Sequence, residues 1–499
     1  MARCSTGFKS NPISSMALLA LGLLSAAAAE AATYAVTSTG DQSLWANRDN
    51  LCQIALDKSP CTLRAAIQLT NSLPGADTIF FALSTSDANY SAQTGSWTIP
   101  LTAPLPDIAT DSLTITGPGA SKMTIRRLSG GEYRLFNVTT LGTVSFSGLT
   151  LTGGRAPLEG FRYHYGGAIR NLNGGTVNVT NCILSENSTG AGFSSYSGFG
   201  GAISNRLGTM TIRSSTFRSN RAVTNRGVDV LRGFSNAGGG AIDNGGGTLT
   251  VIDSTFELNE SLDFGGAILN TGGIVNISGS TFRENIALQY GGALAVYLSG
   301  TLSVSNSTFY ANLAHGGIPP SRFGSGGAIA AVEGATVNVT NSTVTANFAG
   351  IRGSGLSNEF GIVNVKSSLI AQNLGGRSVI GAASANAPDV RGAFNSQGFN
   401  LIGKTDGSTG FTLATDRKGT IASPLNPKFD SRGLRNNGGP TLTVALTATS
   451  PAVDRGTSLG LTGILSTDQR GAGFLRKVDK AAANAAGGDG TDIGAYELQ

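Results

Sequence analysis

Gly166-Gly167-Ala168-Ile169, Gly239-Gly240-Ala241-Ile242 and Gly265-Gly266-Ala267-Ile268 are three openings of a short unit that is written seven times between Gly166 and Asn373. The units close on Asn187, Asn220, Asn259, Asn285, Asn312, Asn347 and Asn373, each 20 or 21 residues after its opening glycine. From a closing asparagine to the next opening glycine the gap varies from 6 to 19 residues. A body of fixed length with insertions at one place per unit marks a stacked solenoid, because each coil must match its neighbour except where a loop can leave the surface.

Inside the unit apolar residues recur with a period of two, as in Val177-Asn178-Val179, Met210-Thr211-Ile212, Val275-Asn276-Ile277 and Val337-Asn338-Val339. That period spells strand, not helix. Three short strands per unit, stacked in parallel, put like residues on like. Ile169, Ile203, Ile242, Ile268, Leu294, Ile329 and Leu356 then form one inward column, and Leu184, Phe217, Phe256, Phe282, Phe309, Val344 and Ile370 form another. No unit can bury its own members of these columns, so the stack makes the core. The closing asparagines read as corner posts: Asn tolerates a left-handed turn, and its amide can hydrogen-bond to its copy about 4.8 Å along the axis.

Composition agrees with this. Of 499 residues 71 are glycine and 13% are charged, which suits tight corners and side-chain ladders. A solenoid grows in one dimension and escapes the limit on the size of a single globular core. The formal charge of +5 is too dilute over this length to argue nucleic-acid binding. Arg3 and Lys9 ahead of the apolar run from Met16 to Ala29, with small residues at Ala29-Glu30-Ala31, read as a cleaved leader, so export to the cell surface or medium is expected. No later stretch is long and apolar enough to be a transmembrane helix. In an exported chain Cys52 and Cys61, close in sequence, are expected to form a disulfide. Cys182 takes the place that serine holds in the other units and is expected to be a buried, inert thiol.

Ahead of the repeats, Thr62-Leu63-Arg64-Ala65-Ala66-Ile67-Gln68-Leu69-Thr70-Asn71 has the apolar spacing of a short amphipathic helix, placed to shield the open edge of the first coil. After Asn373 glycine and proline punctuate a region of dense turns. Cys61-Thr62-Leu63-Arg64-Ala65-Ala66-Ile67, with Asn71, Asp77-Thr78-Ile79 and Phe81, resembles the N-terminal CSLREA-type domain of exported bacterial proteins. The repeats resemble those of right-handed parallel β-helices of that group, akin to the chlamydial polymorphic outer-membrane proteins. Asn437-Gly438-Gly439-Pro440-Thr441, Ser450-Pro451-Ala452-Val453-Asp454, Thr467-Asp468-Gln469-Arg470-Gly471 and Asp492-Ile493-Gly494-Ala495-Tyr496-Glu497 are similar to the choice-of-anchor Q domain.

The expected organisation is a signal peptide at 1–32, a capping segment at 33–82, a β-helix at 83–373 and a choice-of-anchor Q-like cap at 374–499. The fold class is all-β: a single-stranded right-handed parallel β-helix with an N-terminal capping helix and an irregular C-terminal cap. The resemblance implies an exported, surface-associated protein.

Enzymes on parallel β-helices work with clustered carboxylates, or with carboxylate-bound calcium beside a basic residue. The position after the inward aliphatic, expected to face outward, holds Arg170, Ser204, Asp243, Leu269, Ala295, Ala330 and Ser357, one acid in seven. His164 and His315 belong to loops five coils apart, about 24 Å along the axis, and read as solvated loop residues. Asp489, Asp492 and Glu497 read as hydrogen-bonded turns. No catalytic set, metal site or cofactor is therefore expected. A face is the better candidate. Before the glycine pairs stand Tyr165, Phe199, Gly238, Phe264, Tyr290, Ser325 and Arg352, flanked by Arg162, Tyr163, Tyr196, Arg232 and Arg322. Rings repeated along the insertion corner either cover it or bind an extended ligand such as a polysaccharide, an adhesin-like role. The enzymatic alternative is a polysaccharide lyase or glycoside hydrolase, and the third a structural envelope component.

Overall fold

The structure, a computed structural model, describes residues 31–45, 50–55, 60–128, 130–160, 163–189, 197–223, 237–316, 324–375, 387–480 and 482–499. The expected leader falls almost wholly outside them. Strands from successive units stack in parallel into four long sheets: sheet I of 10 strands, sheet II of 12, sheet III of 13, whose first pair, Tyr90–Ser91 with Ser96–Leu101, is antiparallel, and sheet IV of 8. One unit visits them in turn, as at Ile242–Gly245, Thr248–Ile252, Thr255–Glu257 and Glu260–Ser261. The chain is thus an all-β parallel β-helix solenoid. Three strands per unit were expected and four are present. The fourth is two residues long, too short for a period of two to register.

The inward columns are in register, Ile203 opposite Ile242 and Ile242 opposite Ile268, and all seven aliphatics are at most 2% exposed. Phe217, Phe256, Phe282 and Phe309 stack face to face, with centroids 4.6, 4.8 and 4.9 Å apart. The glycine pairs have two separate causes. Gly265 has φ +61°, which costs an L side chain steric strain, while a Cβ on Gly266 would lie 2.1 Å from the Gly292 carbonyl oxygen of the next coil.

The closing asparagines form a continuous amide ladder: Nδ2 of Asn259 donates to Oδ1 of Asn285 at 2.9 Å, and Asn285 to Asn312 at 2.9 Å. The left-handed conformation expected of them belongs instead to the residue before, such as Leu258 (φ 56°) and Glu284 (φ 56°). The asparagine is selected for its amide, not its backbone. A second ladder joins sheets I and II, Asn171 to Asn205 to Asn244 to Asn270, with steps of 2.9, 2.8 and 2.9 Å.

The N-terminal helix, Leu63–Thr70, is capped by Thr62, whose hydroxyl accepts from the Ala65 amide at 3.1 Å. Leu63, Ala66, Ile67 and Leu69 join the same core as Ile79 and Ile99, which closes the first coil. Cys52 and Cys61 are disulfide-bonded, and Cys182 is free and buried, its thiol pushed up to about 11 by desolvation.

Coils continue past Asn373: Val390–Ala393 joins sheet I, Asn395–Ser396 sheet II, and Leu401–Ile402 and Arg417–Lys418 sheet III. Asp389 ends the amide ladder by accepting from Nδ2 of Asn373 at 2.8 Å, a rung that a search for asparagine does not find. The irregular segment that follows lies along the outside of sheet III. Thr441 donates to the Gly279 carbonyl at 2.7 Å, Asn306 to Thr467 at 2.8 Å, Asn341 to Thr457 at 3.1 Å, and Gly494 to Ser367 at 2.9 Å. Leu446, Val453 and Ile493 pack with Leu369 and Leu401 in a second apolar cluster.

Charged tail residues hold this flank together. Arg470 pairs with Asp468 at 2.6 Å and lies 4.0 Å from the ring centroids of both Phe474 and Tyr496. Glu497 accepts from the Asp492 amide at 2.9 Å, and burial, reinforced by the Asp492 carboxylate, pushes its own carboxyl from 4.5 up to about 9. A proton held in the folded chain and released in the unfolded one stabilises fully below the unfolded value, and that contribution is lost as the pH rises through the folded one. The thermal midpoint is therefore expected to fall between about pH 5 and pH 8, and Glu497→Gln, which cannot ionise, is expected to flatten that slope. Parallel pH profiles of the two proteins would contradict this.

Candidate functional site

The corner between sheets IV and I carries the expected column in register. Tyr165 pairs with Phe199, and a run of parallel bridges continues through Gly238, Phe264, Tyr290 and Ser325 to Arg352. Its rings form two clusters. In the first, Tyr165 stacks on Tyr163 at 5.8 Å and on Phe199 at 5.7 Å; in the second, Phe264 stacks on Tyr290 at 5.7 Å with planes 6° apart. Between them a Cβ on Gly238 would meet Cδ2 of Leu269 at 2.1 Å, so a leucine from the next coil fills the gap.

This packing changes what the rings can offer. Their faces lie largely against one another, so a ligand meets edges, tyrosyl hydroxyls and the more open Tyr163, which is 43% exposed. Tyr165, Phe199, Phe264 and Tyr290 are half-buried. Burial raises the Tyr165 phenol and pushes that of Tyr290 up to about 12, aided by the Glu359 carboxylate, so both remain protonated hydrogen-bond donors.

Beneath the rings, the positions expected to face solvent do not. Ser204, Asp243, Leu269, Ala295, Ala330 and Ser357 are at most 3% exposed. Leu269, Ala295 and Ala330 lie outside the apolar core cluster yet are buried, and Leu269 packs against Gly238 of the corner column. Asp243 accepts from the Ser204 hydroxyl at 3.1 Å and lies 3.9 Å from Arg206, whose guanidinium sits 4.9 Å from the Tyr165 ring centroid. Desolvation outweighs Arg206 and Ser204 and pushes the Asp243 carboxyl up to about 6.

Arg206 and Tyr297, whose ring is 5.6 Å from that of Phe264, were missed by the sequence argument. Both lie two residues beyond the position after the inward aliphatic, so extending the period-two reading by one step would have found them. His164 is also corrected. It is a buried residue of the strand Tyr163–Tyr165, with Nδ1 3.0 Å from the Ala156 carbonyl oxygen, because that strand pairs with Ser197–Phe199.

Arg162, Tyr196, Arg232 and Arg322 lie outside the described residues. Next to the first cluster is a groove of about 330 Å³, lined in part by Arg155, Ser188, Thr189, Arg221 and Val223. Thr189 and Val223 abut Gly198, the middle residue of the strand Ser197–Phe199. In the tail, Asp489 accepts from the Ser458 amide and Asp492 from those of Asp454 and Leu498, so the trio serves hydrogen-bonded turns. Among the described residues no helix is long and apolar enough to cross a membrane.

No protein-family model matches the chain, and neither a curated relative nor a solved structure is significantly similar to it. What the geometry defines is a class: a parallel β-helix with an aromatic corner along its axis.

Proposed function

We propose that this is a secreted or surface-displayed β-helix protein with an adhesin-like role, binding an extended ligand, a polysaccharide, along the insertion corner. The observation that carries the reading is the ladder of half-buried rings, Tyr165 on Phe199 and Phe264 on Tyr290, running along the solenoid axis at the corner where insertions leave it. Protonated tyrosyl hydroxyls, the Arg206 guanidinium and the exposed Arg352 at the end of the column supply hydrogen bonds to hydroxyl or carboxylate groups of a sugar chain. The likeness of the N-terminal segment to CSLREA-type domains, of the coils to polymorphic-outer-membrane-protein repeats and of the tail to choice-of-anchor Q domains agrees with export and surface display.

Lyase or hydrolase chemistry needs carboxylates that reach substrate, and Asp243, the acid at the position after the inward aliphatics, is 1% exposed. A role as an envelope component alone would leave the rings as cover for the corner.

Tyr165→Ala combined with Tyr290→Ala is expected to weaken binding on an array of cell-surface polysaccharides at least about tenfold, since each lost aromatic contact contributes about 0.5–1.5 kcal/mol beyond its area. Unchanged binding would sink the corner as the site. Release of reducing ends or unsaturated products from the same panel would replace the adhesin-like reading with the enzymatic one.

A further inference from the structure

The outer face of sheet II has a composition that stacking alone does not explain. Each of its twelve strands contributes one central outward residue, and from Thr33 to Asn395 every one is Thr, Ser or Asn. Thr211, Thr250, Asn276, Ser303 and Asn338 are the middle of this column. Along the strands on either side of it the only charged outward groups are Arg213 and Lys366. Some rungs bond to each other, as Asn364 does to Asn338 at 2.7 Å, and that helps the coils to stack. Stacking does not demand neutrality, however. The outward positions of sheets III and IV carry Arg218, Glu257 and Arg283, and Arg221 and Glu260, over the same coils.

We infer that the outer face of sheet II is a second binding surface, for an uncharged polysaccharide lying along the solenoid axis, and this holds independently of the aromatic corner. Short hydroxyl and amide side chains lose little rotamer freedom when covered, and along the central column no charge has to be stripped of water against a neutral partner. They also supply both donors and acceptors, which a sugar hydroxyl needs. Strands repeat about every 4.8 Å, close to the advance of one monosaccharide in an extended chain, so one rung can serve one sugar. Ile252, Ile274 and Ile362 interrupt the polar columns with apolar surface for sugar C–H faces. The face also has a wall. Leu461 and Thr462 of the tail stand beside Thr250, Asn276, Ser303 and Asn338 to form a groove of about 200 Å³, and the Leu461 amide is pinned to the Thr340 hydroxyl at 3.3 Å.

The full chain should be retained by at least one of microcrystalline cellulose, chitin and mixed-linkage β-glucan in a sedimentation assay, and not by polygalacturonate. Thr250→Lys with Asn276→Lys, and separately Ser303→Glu, are each expected to reduce retention about tenfold or more with unchanged thermal midpoints. Tyr165→Ala with Tyr290→Ala should leave retention by that neutral polymer in place while losing the array polysaccharide that the corner binds, which separates the two surfaces. Retention of none of the three neutral polymers, tighter binding in the lysine variant, or loss in the corner variant with none in the face variants would overturn the inference.

Discussion

Phe256→Ala is expected to destabilise the chain by about 3–5 kcal/mol, the usual range for removing a buried aromatic ring from a core that cannot collapse around the hole. Phe256 is fully buried, and its ring lies 4.6 Å from that of Phe217 and 4.8 Å from that of Phe282, with planes 4° and 8° apart. The neighbouring rings cannot close the gap, because each is fixed by the backbone register of its own coil. Coils contact mainly their neighbours, so the loss should be concentrated around this coil. Guanidinium unfolding should show an early transition in the variant, with proteolytic nicking near the altered coil. Phe256→Leu, which keeps much of the volume, should cost less. A change below about 1 kcal/mol for the alanine variant would show that the column is not packed as described.

Asn285→Ala should be nearly as damaging, for a different reason. Oδ1 of Asn285 accepts from the backbone amide of Asn259 at 3.1 Å and from its Nδ2 at 2.9 Å, while Nδ2 of Asn285 donates to the Phe256 carbonyl at 2.9 Å and to Asn312 at 2.9 Å. Alanine leaves buried donors and acceptors on both adjacent coils unmatched, at about 1–3 kcal/mol for each unsatisfied group, for a total expected near 3–5 kcal/mol. Asn285→Asp separates shape from hydrogen bonding. An ionised carboxylate can still accept from Asn259 but has no hydrogen for Phe256 or Asn312, so the loss should be large near neutral pH. It should shrink on acidification, when the protonated acid regains one donor. Equal stability of the two variants and the parent in denaturant melts would remove the ladder from the account.

These two residues also show how far the sequence could be read. The fixed spacing from glycine to asparagine, with alternation inside it, is enough to place Phe217, Phe256 and Phe282 in one stack. Register in a solenoid follows from counting. The misreadings came where a side chain's environment is set by another part of the chain. Ser204 and Asp243 are buried although nothing in their own strands signals it, with Arg206 placed between Asp243 and the Tyr165 ring of the insertion corner. Thr281 and Thr308 of sheet III are fully buried because the tail lies on them, and nothing local in those strands announces it. The left-handed turn expected at the closing asparagines falls one residue earlier, at Leu258 and Glu284. Of the candidate site, the column was legible and the ring packing was not. Spacing fixes which coil a ring belongs to, whereas its tilt depends on Leu269, Arg206 and the neighbouring rings.

The corner, the polar face and both ladders exist only if each unit adds one step along a common axis. Pulsed electron resonance between spin labels on the outward positions of sheet II measures that step. Pairs at Thr176 and Thr301, four strands apart, and at Thr176 and Ile362, six apart, should give mean separations near 19 and 29 Å, at about 4.8 Å per strand. Separations that do not grow with the number of units between the labels would contradict the stacked solenoid and everything built on it.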